Sequence, residues 1–129
     1  MKKIVFILFA FALSTSIIVA QDVKKEPKVE FVETEHDFGK IKESDQKATH
    51  EFKFKNKGDA PFIIQRVQTS CGCTSPEYTK EPVLPGKEGS IKITYSTVGR
   101  VGRFNSDLKV FSNVAYSVFN LKIKGEVTR

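Results

Sequence analysis

The stretch ATHEFKFKN, residues 48–56, decides the fold class because its apolar and polar side chains alternate. A period of two is typical of a half-buried β-strand, whose successive side chains point to opposite faces. The same alternation returns in SIKITYS (90–96), FNSDLKVF (104–111) and FNLKIKGEV (119–127), and no window of helical length has a clear 3.6-residue apolar stripe. The sequence therefore predicts an all-β domain in which these residues share the inward faces: Ala48, His50, Phe52, Phe54, Ile91, Ile93, Tyr95, Phe104, Leu108, Val110, Phe119, Leu121, Ile123 and Val127. Lys53, Lys92 and Lys122 are expected on the outer faces.

Turn-forming residues separate the predicted strands. NKGDAP (56–61) and LPGKEG (84–89) are rich in the residue types that reversals require, and Pro85-Gly86 suits the centre of a type II turn. We expect strands near Val29, Phe38, Phe52, Ile64, Ile91, Leu108 and Leu121. About seven such strands predict an immunoglobulin-like antiparallel β-sandwich. Since the chain has no Trp and no widely spaced cysteine pair, its 11 Phe and its aliphatic residues must form the core.

One segment, PFIIQRVQTSCGCT (61–74), does not alternate cleanly. Ile63 and Val67 favour one face, whereas Phe62 and Ile64 favour the other. Either this strand is buried on both faces or it contains a bulge that switches the register.

The N-terminus has the order of a secretory signal peptide. A Lys2-Lys3 start precedes an apolar run and a small-residue end at Ala20. We therefore predict a signal peptide over residues 1–20, a polar leader over 21–28 and an immunoglobulin-like domain over 29–129. The alternative is an uncleaved N-terminal anchor, for which residues 4–20 are short and are interrupted by the polar run at 14–16. The mature protein is expected in the periplasm or outside the cell, with no membrane span after cleavage.

The charge of the chain does not indicate a nucleic-acid partner. The formal net charge is +6, and +4 without Lys2 and Lys3. The lysines fall mainly at alternate strand positions, as on a solvated sheet face, and a nucleic-acid role fits export poorly.

The only two cysteines, Cys71 and Cys73, flank Gly72. Two residues of extended strand span about 6.6 Å, near the upper limit for a disulfide, so the backbone must bend between the cysteines. We expect Gly72 to be the hinge, because glycine accepts a positive φ. A disulfide here closes almost no loop and adds little global stability. The pair therefore suits a local turn lock, thiol–disulfide exchange or two buried free thiols, and a soft metal ion is a further alternative.

Nothing in the sequence indicates an enzyme. Hydrolases need a nucleophile, a base and an orienting group, and neither G-x-S-x-G nor H-E-x-x-H occurs. His50 shares a strand face with Phe52 and is expected as a core or strand-end residue, and His36 in a turn or edge. We predict no catalytic residue, metal site or cofactor.

A partner-contact loop is predicted in SPEYTKEPVLPG (75–86), a polar, proline-rich segment that makes Tyr78 and Leu84 available. Immunoglobulin-like sandwiches use end loops and strand edges for binding, so the expected partner is an envelope protein or a glycan.

Several segments together resemble the bacterial domain-of-unknown-function family 1573 (DUF1573): HDFGKI (36–41), FKFKNKGDAPFII (52–64), VQTSCGCTSPEY (67–78), EPVLPGKEGSIKITY (81–95), GRFNSDLKVFSN (102–113) and LKIKGEV (121–127). The resemblance covers about Phe31 to Val127. It implies an immunoglobulin-like fold, similar to hydin and major sperm protein domains, and an exported protein of the kind common in Bacteroidetes. It implies no activity, because the family has none assigned.

The sequence thus predicts an exported, non-enzymatic binding or scaffolding module of the bacterial cell envelope. The alternative is a small thiol–disulfide or soft-metal protein centred on Cys71 and Cys73.

Overall fold

The computed structural model describes Ile18 and residues 24–129. Apart from Ile18, the predicted signal peptide lies outside the described residues, as does the start of the predicted leader. The described chain forms eight strands: β1 (Val29–Phe31), β2 (Glu35–Lys42), β3 (Lys47–Asn56), β4 (Ile64–Thr69), β5 (Thr74–Tyr78), β6 (Glu88–Ser96), β7 (Gly102–Ser112) and β8 (Val118–Thr128). A 3-10 turn, Glu43–Asp45, joins β2 to β3. In this part of the chain, no helix is long and apolar enough to cross a membrane.

The strands form two four-stranded sheets that enclose one core. The first sheet has the order β1-β3-β6-β5 and the second the order β2-β8-β7-β4. The predicted immunoglobulin-like β-sandwich is confirmed. The structure has eight strands because β5, expected as part of a loop, is a short edge strand.

One strand pairing departs from the expected antiparallel arrangement. β1 pairs antiparallel with β3, and after the crossover β2 pairs parallel with β8. β1 is thus an edge strand of the first sheet and β2 an edge strand of the second. The second sheet is therefore mixed.

The segment 61–74, whose apolar residues do not alternate, contains a β-bulge, as one of the two sequence-based explanations predicted. The register of β4 against β7 shifts between Ile64 and Arg66. Ile64, before the shift, is buried and Val67, after it, is half-buried. In a regular strand an even-numbered and an odd-numbered residue would point to opposite faces, so the shift accounts for the burial of both. β2 has a second register shift, between Asp37 and Lys40. Gly39 lies inside it with a φ of 66°, a conformation that favours glycine.

The core is built from the inward faces that the alternation predicted. Ten of the fourteen predicted residues are at most 4% exposed, and Ala48, His50, Phe104 and Phe119 are half-buried. Of the three lysines expected on the outer faces, Lys53 and Lys92 are exposed and Lys122 is half-buried. Phe62, from the segment 61–74, is also fully buried. The Pro85-Gly86 turn also forms as expected: the φ of Gly86 is 79°, and the Lys87 N–H donates to the Leu84 carbonyl at 2.9 Å.

A buried asparagine organises one end of the sandwich. Asn56 is 0% exposed, and its side chain makes four hydrogen bonds. Its Oδ1 accepts the N–H groups of Lys28 and Gly58, and its Nδ2 donates to the carbonyls of Ala60 and Val83. Asn56 therefore ties the end of the predicted leader to two turns.

Candidate functional site

The candidate sites lie at opposite edges of the sandwich, where the chain crosses between the sheets. At one edge, residues 70–73 lead from β4 to β5, and at the other, residues 32–34 lead from β1 to β2. The first crossover contains the cysteine pair. The second lies beside a stretch of β3 that has no neighbouring strand.

The structure brings Cys71 and Cys73 together in a disulfide at the first crossover. Their Cα atoms are 5.2 Å apart, shorter than an extended pair of residues allows, so the backbone bends as expected. The bend is a tight turn in which the Thr74 N–H donates to the Cys71 carbonyl at 3.2 Å. Cys73 is 8% exposed and Cys71 is half-buried against the core. Solvent therefore reaches mainly the Cys71 side of the pair.

The predicted reason for Gly72 is wrong. Gly72 is not among the glycines with a positive φ, and a Cβ built on it would meet no atom within 4 Å. The tight turn closes without the left-handed conformation, so sterics do not demand glycine at this position.

A small hydroxyl cluster, which the sequence analysis missed, adjoins the disulfide. Ser106 Oγ lies 3.3 Å from Thr74 Oγ1 and 3.4 Å from Ser70 Oγ. Thr74 and Ser106 are 5% and 2% exposed. These hydroxyls form a hydrogen-bonded row beside the crossover, with Ser70 exposed at its outer end. They come from separated segments, so no local motif announces them.

The predicted contact residues Tyr78 and Leu84 do not belong to one loop. Tyr78 ends β5, packs against the core and places its hydroxyl 3.5 Å from the Gln65 carbonyl. Leu84 is 53% exposed in the Pro85-Gly86 turn. Of the two, Leu84 alone is readily available to a partner.

At the opposite edge, part of β3 has unpaired backbone groups. Residues of even number face β6: the Thr97 N–H donates to the Gln46 carbonyl and the Asn56 N–H to the Lys87 carbonyl. Odd-numbered residues face β1, since Lys53 accepts from the Val32 N–H. β1 ends at Phe31, opposite Phe54. The outward N–H and C=O groups of Lys47, Thr49 and Glu51 therefore have no strand partner within residues 24–129.

Side-chain exposure along β3 shows where this edge opens. Beside β1, Phe54 is 1% exposed, and Phe52 remains at 0%. Beyond the end of β1, His50 and Ala48 are only half-buried. On β2, Phe38 is half-buried too, and so is His36. We call this half-buried strip, beside the unpaired part of β3, the edge slot: it consists of Ala48 and His50 of β3 and of His36 and Phe38 of β2.

Two histidines and a glutamate meet at the edge slot. The rings of His36 and His50 are stacked, with centroids 3.6 Å apart and planes at 4°. The Nε2 atom of His50 contacts Oε1 of Glu33, which lies in the crossover. Sequence reasoning treated the two histidines separately. Each histidine lies two residues before a phenylalanine, Phe38 or Phe52, so it shares a strand face with that phenylalanine. Only the structure shows that the two histidines face each other.

The stacking bears on whether this cluster is a metal site. One ligand atom from each of Glu33, His36 and His50 lies within 4.8 Å of the others. Tetrahedral Zn(II) with bonds of about 2.1 Å holds neighbouring ligand atoms about 3.4 Å apart. An imidazole nitrogen binds along a lone pair in its ring plane, and in parallel rings these lone pairs do not converge. The arrangement therefore fits a histidine pair better than a preformed metal centre.

Burial and charge both lower the pKa of His36. Partial desolvation has the largest effect, and the neighbouring His50 adds to it. The carboxylates of Glu33 and Asp37 act in the opposite direction. The neutral form of His36 is thus favoured in the folded protein.

The outer face of the second sheet has two shallow depressions of about 490 and about 370 Å³. Charged residues of β2, β7 and β8 dominate both linings, among them Arg103, Lys124 and Glu126 in the larger one. Neither lining contains a cysteine or a histidine.

The model of one protein family matches residues 29–127, which is nearly all of the sandwich. The chain belongs to the DUF1573 family. The family is described as a protein of unknown function, so membership supplies no activity. No match to this DUF1573 chain was found among curated proteins.

Solved structures similar to the DUF1573 chain confirm its fold. One is a protein of unknown function from Porphyromonas gingivalis W83, with a TM-score of 0.67 and 16% identity over 78% of this chain and 46% of that one. The chain thus spans less than half of that protein. Another is the ASH/PapD-like domain 7 of human CEP192, with a TM-score of 0.65 and 9% identity over 79% of this chain and 86% of the domain. The YadV chaperone has a TM-score of 0.56 and 15% identity over 78% of this chain and 52% of the chaperone.

Proposed function

We propose that this protein is an exported, non-enzymatic binding module of the bacterial cell envelope that takes an extended segment of a protein partner along the edge slot. The open edge of β3 is the observation that carries the proposal. Lys47, Thr49 and Glu51 each offer an N–H and a C=O to a strand lying where β1 would continue. Strand addition of this kind is a recurring mode of peptide recognition.

The side chains around the slot indicate what the partner strand would need. Its inward side chains would lie over Ala48, His50 and Phe38, which are only half-buried. Its outward side chains would lie beside Lys47, Thr49 and Glu51, all exposed. Charged residues at a strand edge discourage non-specific pairing. A partner with small or apolar residues inward and matching charges outward fits best.

The structural relatives support protein binding in general terms. The similar YadV is a chaperone, and the similar CEP192 domain is described as PapD-like. Both likenesses are below 25% identity, so they support the capacity of this fold for such a role and no particular partner.

Export is supported by the signal-peptide pattern of residues 1–20 and by a cysteine pair that suits an oxidising compartment. The intact mass of protein isolated from the cells that make it tests this directly. We expect a mature N-terminus at or near Gln21. A mass that retains the apolar run from Ile4 to Leu13 would contradict export by cleavage.

Photocrosslinking tests binding at the edge. A benzoylphenylalanine placed at Lys47 lies at the open edge, whereas one at Lys92 lies on the exposed face of β6, which is paired on both sides. In the native cells, position 47 should give a discrete protein adduct and position 92 should not. Equal adducts at both positions, or none at 47, would argue against the edge as the binding surface.

Thiol–disulfide exchange at Cys71 and Cys73 is the second candidate function. One observation favours it: the Cys73 N–H lies 3.2 Å from the Sγ of half-buried Cys71. After reduction, a donor in this position would stabilise a Cys71 thiolate, which is the reactive form of cysteine. Binding of a soft metal would likewise require the reduced pair.

A further inference from the structure

The stacked histidines lie at the seam between the two sheets. His36 is on β2, in the second sheet, and His50 is on β3, in the first. Edge-to-face contacts hold the pair from both sides, since Phe38 packs on His36 at 4.6 Å and Phe52 on His50 at 4.8 Å. A change in the charge of this pair therefore acts directly on the contact between β2 and β3, which share few other contacts.

Of the charged side chains around the two histidines, one carboxylate lies in contact with them. Glu33, from the crossover, contacts His50, and Asp37 is the next residue after His36 on β2. From β8, the residue paired with His36 is the apolar Ile123. The neighbouring Lys124 on that strand instead pairs with Glu35. Within the described chain, Glu33 is thus the only carboxylate in contact with either ring.

We infer that His36, His50 and Glu33 form a proton-operated latch, which opens when both imidazole rings are protonated. A single imidazolium can pair with Glu33 and stack on a neutral ring. A second proton places two cations 3.6 Å apart with one contacting carboxylate between them. Repulsion then loosens β2 from β3 and widens the edge slot. The latch is a property of the seam and does not depend on the proposed strand addition.

The sign of the pH dependence follows from His36. Its folded-state pKa is lowered from 6.5, so the unfolded chain takes up this proton more readily than the folded chain does. The stabilising effect of neutral His36 is fully present above about pH 6.5 and is lost as the pH falls through the lower, folded value. The latch accordingly opens on acidification.

NMR titration of the histidine ring protons measures the latch. His36 and His50 are the only histidines in the chain, so single variants assign both signals. We expect the midpoint of His36 to lie below 6.5. H50Q should raise that midpoint, because the neighbouring cation is gone, whereas E33Q should lower it, because the anion is gone. The opposite signs separate an electrostatic latch from a merely structural cluster.

Amide hydrogen exchange shows whether the seam opens. After correction for intrinsic rates, protection of β2 amides should fall severalfold between pH 7.5 and 5.0, because the closed seam takes up the His36 proton less readily than the opened chain does. Protection at Ile93 and Leu108 should stay constant, and H50Q should remove the pH dependence in β2. Two results would overturn the latch. One is a His36 midpoint at or above 6.5 that does not change in H50Q, and the other is β2 protection at pH 5.0 equal to that at pH 7.5.

Discussion

At the scale of single residues, Asn56 shows how one buried polar side chain can hold several loops. Its four hydrogen bonds join the end of the leader, the turn after β3 and the turn before β6. Asn56 is 0% exposed, and removing its amide takes the hydrogen-bond partner from the part-buried N–H groups of Lys28 and Gly58 and from the Ala60 carbonyl. Each such group costs about 1–3 kcal/mol.

Asn56→Ala should therefore lower the free energy of unfolding by more than about 2 kcal/mol. Asn113 is a matched control, because its amide also bridges backbone groups, those of Ile63 and Pro61, at 2.9 Å but in an exposed position. We expect Asn113→Ala to cost within about 1 kcal/mol. Urea denaturation of both variants measures this, and equal losses would show that Asn56 is no special anchor.

The cysteine pair belongs to the same scale. The disulfide joins Cys71 and Cys73, which are only two positions apart in the sequence. It therefore constrains the unfolded chain very little. The double variant Cys71→Ser, Cys73→Ser should fold and lose little stability in chemical denaturation. A loss as large as that of Asn56→Ala would show that the bridge holds the β4–β5 crossover in place.

Equilibration of the wild-type protein in glutathione buffers, with alkylation and mass readout, separates a turn lock from an exchange centre. An exchange centre should have a potential within the oxidoreductase range of about −120 to −270 mV. A bridge that resists reduction below about −300 mV would exclude thiol–disulfide exchange as the function and leave the turn lock.

At the scale of the elements, the register of β3 determines which side chains form the core and which line the edge slot. Phe52 is 0% exposed, and its neighbour Lys53 is exposed on the other face. Phe52→Ala should cost about 3–5 kcal/mol through lost burial and the cavity it leaves. Lys53→Ala should stay within about 0.5 kcal/mol. Similar losses in the two variants would mean that the register is wrong.

The elements also show what alternation could and could not predict. The long strands β3, β6, β7 and β8 have one buried and one solvated face, so their inward residues were readable from the sequence. β5 was missed because TSPEY contains Pro76 and few apolar residues. Proline is tolerated there because β5 is an edge strand that pairs only with β6. The parallel pairing of β2 could not be predicted, since it depends on where the chain changes sheet.

At the scale of the whole molecule, the candidate site is a product of topology. The cysteine pair is local in sequence, so its proximity was predictable. The stacked histidines come from strands of different sheets, and the open edge of β3 exists because β1 is three residues long. No pattern within a single strand could reveal either feature.

If the open edge of β3 is a binding surface, a proline at Thr49 should block it. The Thr49 N–H faces away from β6, so Thr49→Pro removes an edge donor while the β3–β6 ladder stays intact. Thr49→Val is the matched control, because it keeps the N–H and the branched shape. The measurement is the yield of the photocrosslinked adduct at position 47 in each variant, after circular dichroism has shown both to be folded. We predict that Thr49→Pro abolishes the adduct and Thr49→Val retains it; an adduct that persists undiminished in folded Thr49→Pro would contradict the claim.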